Sequence, residues 1–353
     1  MTTELIAELK IAAGKVDKAI AESTFPDAVS PVYLADAMRR YPANGGKRLR
    51  PAIMLWSAAA AGGDMDKILP AAAALEIFHN WTLVHDDIID DDDLRRGNPT
   101  AHIVLSQALE LPEQRRRKFG SDMAILAGDL MQGWAFELLD QTCCTAEVRL
   151  KLASELRCYG YLKLVSGEAE DVEMSCCDPA DITVEAVRNM LLGKTGALLH
   201  FAARGGWLAG KDSVDQWDSV HARALGEFGD SLALAFQLQD DYLGIFGDVE
   251  KFGKPIGSDL QEGKATLLLL HALKNLPAAA AEELRGLLYC HEYTSCDIAR
   301  ARELFSAAGS VKYLQREICR LTDESCKALN TLPDSKYKTL LLELANYLIT
   351  REK

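Results

Sequence analysis

Six aspartates fall within eight residues at Asp86-Asp87-Ile88-Ile89-Asp90-Asp91-Asp92-Asp93, and Arg95-Arg96 follows almost at once. Residues 71–85 before them are mostly apolar and rich in good helix formers, so the aspartates read as the end of a buried helix. Asp86 and Asp90 then share one face, separated by about 6 Å of helical rise. Like charges so placed destabilise a helix unless a cation sits between them. A hard divalent ion such as Mg²⁺ suits the site, because it takes a few carboxylate oxygens together with phosphate oxygens. An acidic run is more often a solvated surface, but here Leu83-Val84 precede it and Ile88-Ile89 lie inside it.

A matching element occurs later. Residues 231–239 form a second apolar helical run, and it ends in Asp240-Asp241. Two apolar helices that each deliver an aspartate pair to one end are what several Mg²⁺ ions clamping a diphosphate require. A basic counterpart lies at Gly45-Gly46-Lys47-Arg48-Leu49-Arg50-Pro51, with three cations in four residues beside two glycines. Glycine lets a backbone approach an anion closely, and arginine presents a planar fork to phosphate oxygens. Taken singly, this segment is an ordinary basic turn and Arg95-Arg96 is charge balance at a helix end. Lys194-Thr195, Lys254 and Lys264 are unremarkable alone, and His79 reads as a hydrogen-bonded structural residue.

The elements that must carry these residues are helical. Apolar helical runs are expected at about 4–21, 50–61, 70–90, 121–140, 148–173, 183–204, 219–246, 265–275, 297–306, 309–328 and 336–350. Stops are expected at Pro42-Ala43-Asn44-Gly45-Gly46, Gly62-Gly63, Gly97-Asn98-Pro99, Asp178-Pro179, Gly205-Gly206 and Pro277. No series of alternating strand segments is visible. The fold class is therefore all-α, a single-domain bundle over residues 1–353.

Lys+Arg 39 against Asp+Glu 52 gives a net charge of −13, which argues against nonspecific binding to nucleic acid or to anionic membranes. Any anionic substrate must then be drawn in by metal and by local cations. Nine cysteines are an odd number, Cys143-Cys144 and Cys176-Cys177 are adjacent, and no CxxC spacing occurs, so reduced thiols are expected. Residues 1–21 lack the apolar core of a signal peptide, and no segment is long and apolar enough to span a membrane. The expected location is the cytoplasm.

In five ordered motifs between Gly45 and Leu270 the chain resembles the trans-isoprenyl diphosphate synthases, or polyprenyl synthetases. These are Gly45-Gly46-Lys47-Arg48-Leu49-Arg50-Pro51; His85-Asp86-Asp87-Ile88-Ile89-Asp90 with Leu94-Arg95-Arg96-Gly97; Lys194-Thr195; Phe236-Gln237-Leu238-Gln239-Asp240-Asp241; and Gly253-Lys254-Pro255-Ile256-Gly257-Ser258-Asp259. The resemblance implies the isoprenoid synthase fold, an all-α bundle around a central active-site cavity, and a homodimer. It implies that Asp86 and Asp90 bind Mg²⁺ with Asp87 in support, and that Asp240 binds a further Mg²⁺ with Asp241 assisting, three ions in all with substrate bound. Arg95, Lys194, Lys254 and Lys264 would contact an allylic diphosphate (dimethylallyl, geranyl or farnesyl). Lys47, Arg50, His79 and Arg96 would hold isopentenyl diphosphate, and Thr195 and Gln237 would lie near the developing allylic cation. Two departures stand out. Gly244 occupies the place of the second motif's third aspartate, and Glu168 with Asp171 stands where the family often has Gln-x-x-Asp; Glu168 is given no role.

If the diphosphate sits at Asp86, Thr82, Trp81 and Phe78 line the path of its tail, with Trp81 about 7.5 Å below Asp86. Trp81 could equally be core packing. A bulky aromatic at this place limits product length in similar synthases, and the first motif has no two-residue expansion. The expected products are C15–C20, geranylgeranyl diphosphate ahead of farnesyl diphosphate. The competing readings are a class I terpene cyclase, which would not need a second diphosphate site, and a non-catalytic regulatory subunit, against which Asp86, Asp90, Asp240, Lys194 and Lys254 argue and which Gly244 alone keeps open.

Overall fold

The computed structural model describes residues 3–247, 257–288 and 294–350. Among these the chain is helical except for one two-stranded antiparallel hairpin, in agreement with the all-α expectation. In chain order come α1 (Thr3–Glu22), α2 (Val32–Ala43), α3 (Leu49–Ala60), α4 (Met65–Ile89), β1 (Leu94–Arg95), β2 (Asn98–Pro99), α5 (Ala101–Ser106), α6 (Glu113–Asp140) and α7 (Ala146–Glu155). A π-helical turn, Leu156–Tyr161, leads into α8 (Leu162–Ser175), and after α9 (Val184–Leu191) a second, Leu192–Gly196, leads into α10 (Ala197–Lys211). Then follow α11 (Val220–Phe246), α12 (Ser258–Gln261), α13 (Leu267–Asn275), α14 (Ala278–Gly286), α15 (Ser295–Ala307), α16 (Ser310–Ala328) and α17 (Lys336–Thr350).

The chain gathers into two compact units. The first comprises Met1–Glu155, Ala202–Arg223 and Leu332–Leu341. Its axis is α4, which packs extensively against α6 and α3 and buries Ala71, Ala72, Ala73, Ala74, Leu75, Ile77, Phe78 and Trp81. The alanine run leaves little side-chain volume there, so neighbouring helices can approach closely. Asp64 caps α4 by accepting from the Asp66 amide at 3.0 Å. The second unit comprises Leu156–Phe201, Ala224–Thr331 and Leu342–Lys353. Its core joins Leu234, Ala235, Leu238 and Ile245 of α11 to Leu267, Leu268, Leu269 and Leu270 of α13. A helix apolar on successive positions is a buried one, and α13 is capped by the Thr266 hydroxyl.

Most of the expected helices stand, with four corrections. The stop at Pro42 lies inside α2, which the periodicity did not reveal; Pro42 falls in the last turn, where its missing N–H costs a single bond, and the chain turns only at Gly45 and Gly46, both at positive φ. Gly205-Gly206 is no stop: α10 runs through it, because a Cβ at Gly206 would meet the Met54 carbonyl at 2.3 Å, so glycine serves close helix packing. The runs at 148–173 and 183–204 are each divided by a π-turn. Arg95-Arg96 belongs to a hairpin rather than a helix end. Its two-residue turn, Arg96-Gly97, has φ of 54° and 75°, the left-handed pair that a tight hairpin needs. No described helix is long and apolar enough to cross a membrane, and every described cysteine is a free thiol.

Candidate active site

The first unit brings the acidic run and the basic motif together. Asp86 and Asp87 lie in the last turn of α4, and Asp90 caps it, its amide donating to the Asp86 carbonyl at 2.8 Å. Carboxylates there face both one another and the negative end of the helix dipole, two penalties that a cation relieves. Arg95 supplies one cation from β1. Its Nη2 donates to Asp86 Oδ2 at 3.0 Å, and its Nε donates to Asp87 Oδ1.

Asp87 is fully buried, and its other oxygen accepts the Tyr41 hydroxyl of α2, which in turn accepts the Ala101 amide at 3.1 Å. Burial, opposed chiefly by Arg95, pushes the Asp87 carboxyl up to about 6, while burial and the Asp87 charge raise the Tyr41 hydroxyl further above its usual value. With both oxygens so engaged, Asp87 positions Arg95 rather than offering an open face to metal. Tyr41 carried no motif signal and the sequence reading missed it.

Arg50, in the first turn of α3, donates from Nη1 to His79 Nε2 at 3.2 Å. Burial and the charges of Arg50, Arg96, Arg95 and Arg48 hold the His79 pKa well below the ordinary histidine range. A neutral ring with Nε2 accepting fits this pair, because guanidinium only donates. Arg96 donates to the Gly45 carbonyl, which ties the hairpin to the glycine loop, and Lys47 is exposed in that loop. Arg50 Nε is buried without a protein acceptor. A neutral histidine, mutually repelling guanidiniums and this orphaned donor together form a site suited to an anion.

The remaining member of the basic motif serves the fold. Arg48, only 3% exposed and at φ 48°, binds Glu76 and Asp17 at 2.7 Å each and donates to the Gly45 and Pro42 carbonyls. Nothing in the sequence separates it from its neighbours; only burial does.

The second unit gathers the other candidates. Lys194 and Thr195 sit in the π-turn, where the wider coil redirects side chains. Lys194 Nζ meets Glu168 at 2.9 Å and Asp171 at 2.7 Å, both on α8. The Thr195 hydroxyl donates to Gln237 Oε1 at 3.3 Å, and Gln237 Nε2 donates to Asp241 Oδ1 at 3.1 Å. Asp241 is buried, and burial followed by the charge of Asp259 raises its carboxyl well above the usual range; Gln237 opposes this, and Asp240 and Asp171 add to it. Asp259 was quoted in a motif but given no role, and it proves to be part of this acidic group. Lys264 pairs with Glu262 at 2.5 Å. Lys254 lies outside the described residues. Among the described residues no three His, Cys, Asp or Glu side chains form a ready-made metal cage. The donors present at Asp86, Asp90 and Asp240 are hard carboxylate oxygens, the type that Mg²⁺ takes when phosphate completes its shell.

The match to the polyprenyl synthetase family covers residues 31–304. The geranylgeranyl diphosphate synthase of Methanosarcina mazei is 34% identical over 355 residues, covering 100% of this chain and 99% of that protein. The crystal structure of geranylgeranyl pyrophosphate synthetase from Pyrococcus horikoshii superposes with a TM-score of 0.85 at 33% identity, over 99% of this chain and 98% of that one. Geranylgeranyl pyrophosphate synthase of Corynebacterium glutamicum, crystallised with isoprenyl diphosphate and magnesium, gives a TM-score of 0.85 at 30% identity over 98% of each chain. With the carboxylate, guanidinium and lysine groups already in place, these likenesses show that the chain belongs to the polyprenyl synthetase family and is a prenyltransferase of the geranylgeranyl or farnesyl diphosphate synthase type.

Proposed function

We propose that this chain condenses isopentenyl diphosphate with dimethylallyl, geranyl or farnesyl diphosphate in a Mg²⁺-dependent 1'-4 elongation. The observation that carries this reading is the cationic pocket of Arg50, His79 and Arg96, with the orphaned Arg50 Nε, beside a carboxylate pair that itself calls for a cation. One diphosphate binds through metal with protein cations beside it, and the other through protein side chains without metal. A terpene cyclase, which handles one diphosphate, has no use for the second set.

Asp86, Asp90 and Asp240 hold the ions, three with substrate bound, and Asp87 and Asp241 support them by fixing Arg95 and Gln237. When bound, Mg²⁺ neutralises charge on the diphosphate that departs as the allylic C–O bond ionises. Arg95, Lys194, Lys254 and Lys264 hold that leaving group, while Lys47, Arg50, His79 and Arg96 fix isopentenyl diphosphate so that its alkene faces the cation. Neutral His79 can give Nδ1–H to an oxygen. Thr195, its proton committed to Gln237, turns oxygen lone pairs toward developing positive charge. The proton released after attack goes to the diphosphate. Water must be kept out, since it would capture the cation.

The match across residues 31–304 supports a single catalytic domain. Exposed Leu162, Val165 and Val172 share one face of α8, which supports a homodimer, and the cytoplasm suits a chain whose described cysteines are all free thiols. Purified protein with labelled isopentenyl diphosphate, Mg²⁺ and each allylic primer is expected to give labelled polyprenyl diphosphate without a partner subunit. Absence of incorporation with every primer would sink the reading.

The products are C15–C20, with geranylgeranyl diphosphate favoured. Trp81 is 5% exposed and packs edge-on against Phe78, ring centroids 4.9 Å apart, one turn and a half before Asp86. Trp81→Ala is expected to lengthen the product by about one five-carbon unit or more, while costing on the order of 3–5 kcal/mol in stability. Trp81→Leu keeps more of the packing and should shift chain length in the same direction. Chromatography of the dephosphorylated products reads the result, and an unchanged distribution in both variants removes Trp81 as the floor.

A further inference from the structure

Resting on that reading, we propose that Glu168 is a positioning residue that holds Lys194 in a two-carboxylate clamp and so sets the affinity for the allylic diphosphate. The clamp is built into the backbone. A Cβ at Gly167 would lie 2.3 Å from the Lys194 amide nitrogen, and a Cβ at Gly193 would lie 2.7 Å from the Lys163 carbonyl, so α8 and the π-turn touch through two glycines. The residues following each glycine are Glu168 and Lys194, whose charged ends meet at 2.9 Å.

Asp171, one turn further along α8, meets the same ammonium at 2.7 Å. All three side chains are largely covered, with 23% of Lys194, 18% of Glu168 and 10% of Asp171 accessible. Partly buried pairs are screened less than surface ones. One ammonium faces two carboxylates, and the Asp171 charge also bears on Asp241, beside Asp240 and Asp259. A neutral side chain at position 168 would remove one of the two α8 carboxylates that face Lys194. Glu168 adds one negative charge, lowers the potential that Lys194 offers to an arriving diphosphate, and holds the ammonium until a diphosphate competes for it.

Glu168→Gln keeps an oxygen acceptor on Lys194 and removes the charge. A unit charge removed roughly 6 Å from a bound anion, at an effective dielectric of about 40 between the protein and water limits, changes a binding constant on the order of tenfold. The experiment compares wild type, Glu168→Gln and Glu168→Asp by calorimetric titration with the unreactive geranyl S-thiolodiphosphate, alongside KM for geranyl and isopentenyl diphosphates. The expected result is about tenfold tighter analogue binding and lower allylic KM in Glu168→Gln, an unchanged KM for isopentenyl diphosphate, and near wild-type values in Glu168→Asp. Equal analogue affinity in all three proteins overturns the inference, as does weaker binding in Glu168→Gln. Equal loss for both substrates with a lower melting midpoint also overturns it, since that marks a purely structural role. Wild type inactive with every primer is a failure of the functional reading instead, and is seen before any variant is made.

Discussion

Asp240→Asn should lower kcat for isopentenyl incorporation about a thousandfold while leaving the thermal midpoint unchanged or slightly raised. The substitution keeps the shape of the side chain and removes a charge. Asp240 lies between one and two turns before the end of α11, and its charge adds to the pressure on buried Asp241. Removing that charge relieves Asp241, whereas on the proposed reading ionisation of the allylic substrate loses a group that recruits a cation to its leaving diphosphate. Rate and stability move apart, the pattern expected where local strain is retained for function. The measurement is single-turnover incorporation at saturating Mg²⁺ and both substrates, paired with a melting curve. A kcat close to wild type would remove Asp240 from the metal site. A collapsed melting curve would show that the carboxylate serves the fold.

The same contrast explains what could be read from the sequence. Asp86, Asp90 and Asp240 stand out in the sequence because a carboxylate ending an apolar helix breaks the expected pattern of burial, and such conflicts are where a functional site is sought. The helices α1, α3 and α11, and α6 from residue 121 onward, were legible from periodicity, which needs only local residues. The hairpin at Arg95-Arg96 was not, because its turn depends on Arg96 adopting positive φ, which nothing but Gly97 hinted at. The π-turn beneath Lys194-Thr195 inserts a residue into a helix without changing its composition, so periodicity passes straight over it. Tyr41 and Glu168 owe their roles to partners 46 and 26 residues away, at Asp87 and Lys194. Distances of that kind are tertiary facts. The clearest instance is the basic motif, in which Lys47, Arg48 and Arg50 look interchangeable and the fold sends the middle one inward.

Arg48→Met is accordingly expected to destabilise the protein by about 3–5 kcal/mol, the loss typical when one partner of a buried ion pair is removed. Glu76, 3% exposed, would keep only Asn80 Nδ2, at 3.0 Å, of the two side-chain donors that now satisfy Oε1. The Pro42 and Gly45 carbonyls would lose a donor as well, just where the chain leaves α2 for the glycine loop. Methionine preserves the apolar stem, so most of the loss is electrostatic. The melting midpoint should fall by about 5 °C for a chain of this length. Arg48→Met combined with Glu76→Gln should recover part of that loss, because the buried carboxylate no longer lacks a counter-charge. The loop that Arg48 anchors carries Lys47, and Arg50 begins the helix after it, so KM for isopentenyl diphosphate should rise while KM for the allylic substrate changes little. If the single and double variants melt together at the wild-type temperature, Arg48 is not the anchor its contacts describe. If both KM values rise equally, the loop's tie to the isopentenyl site fails instead.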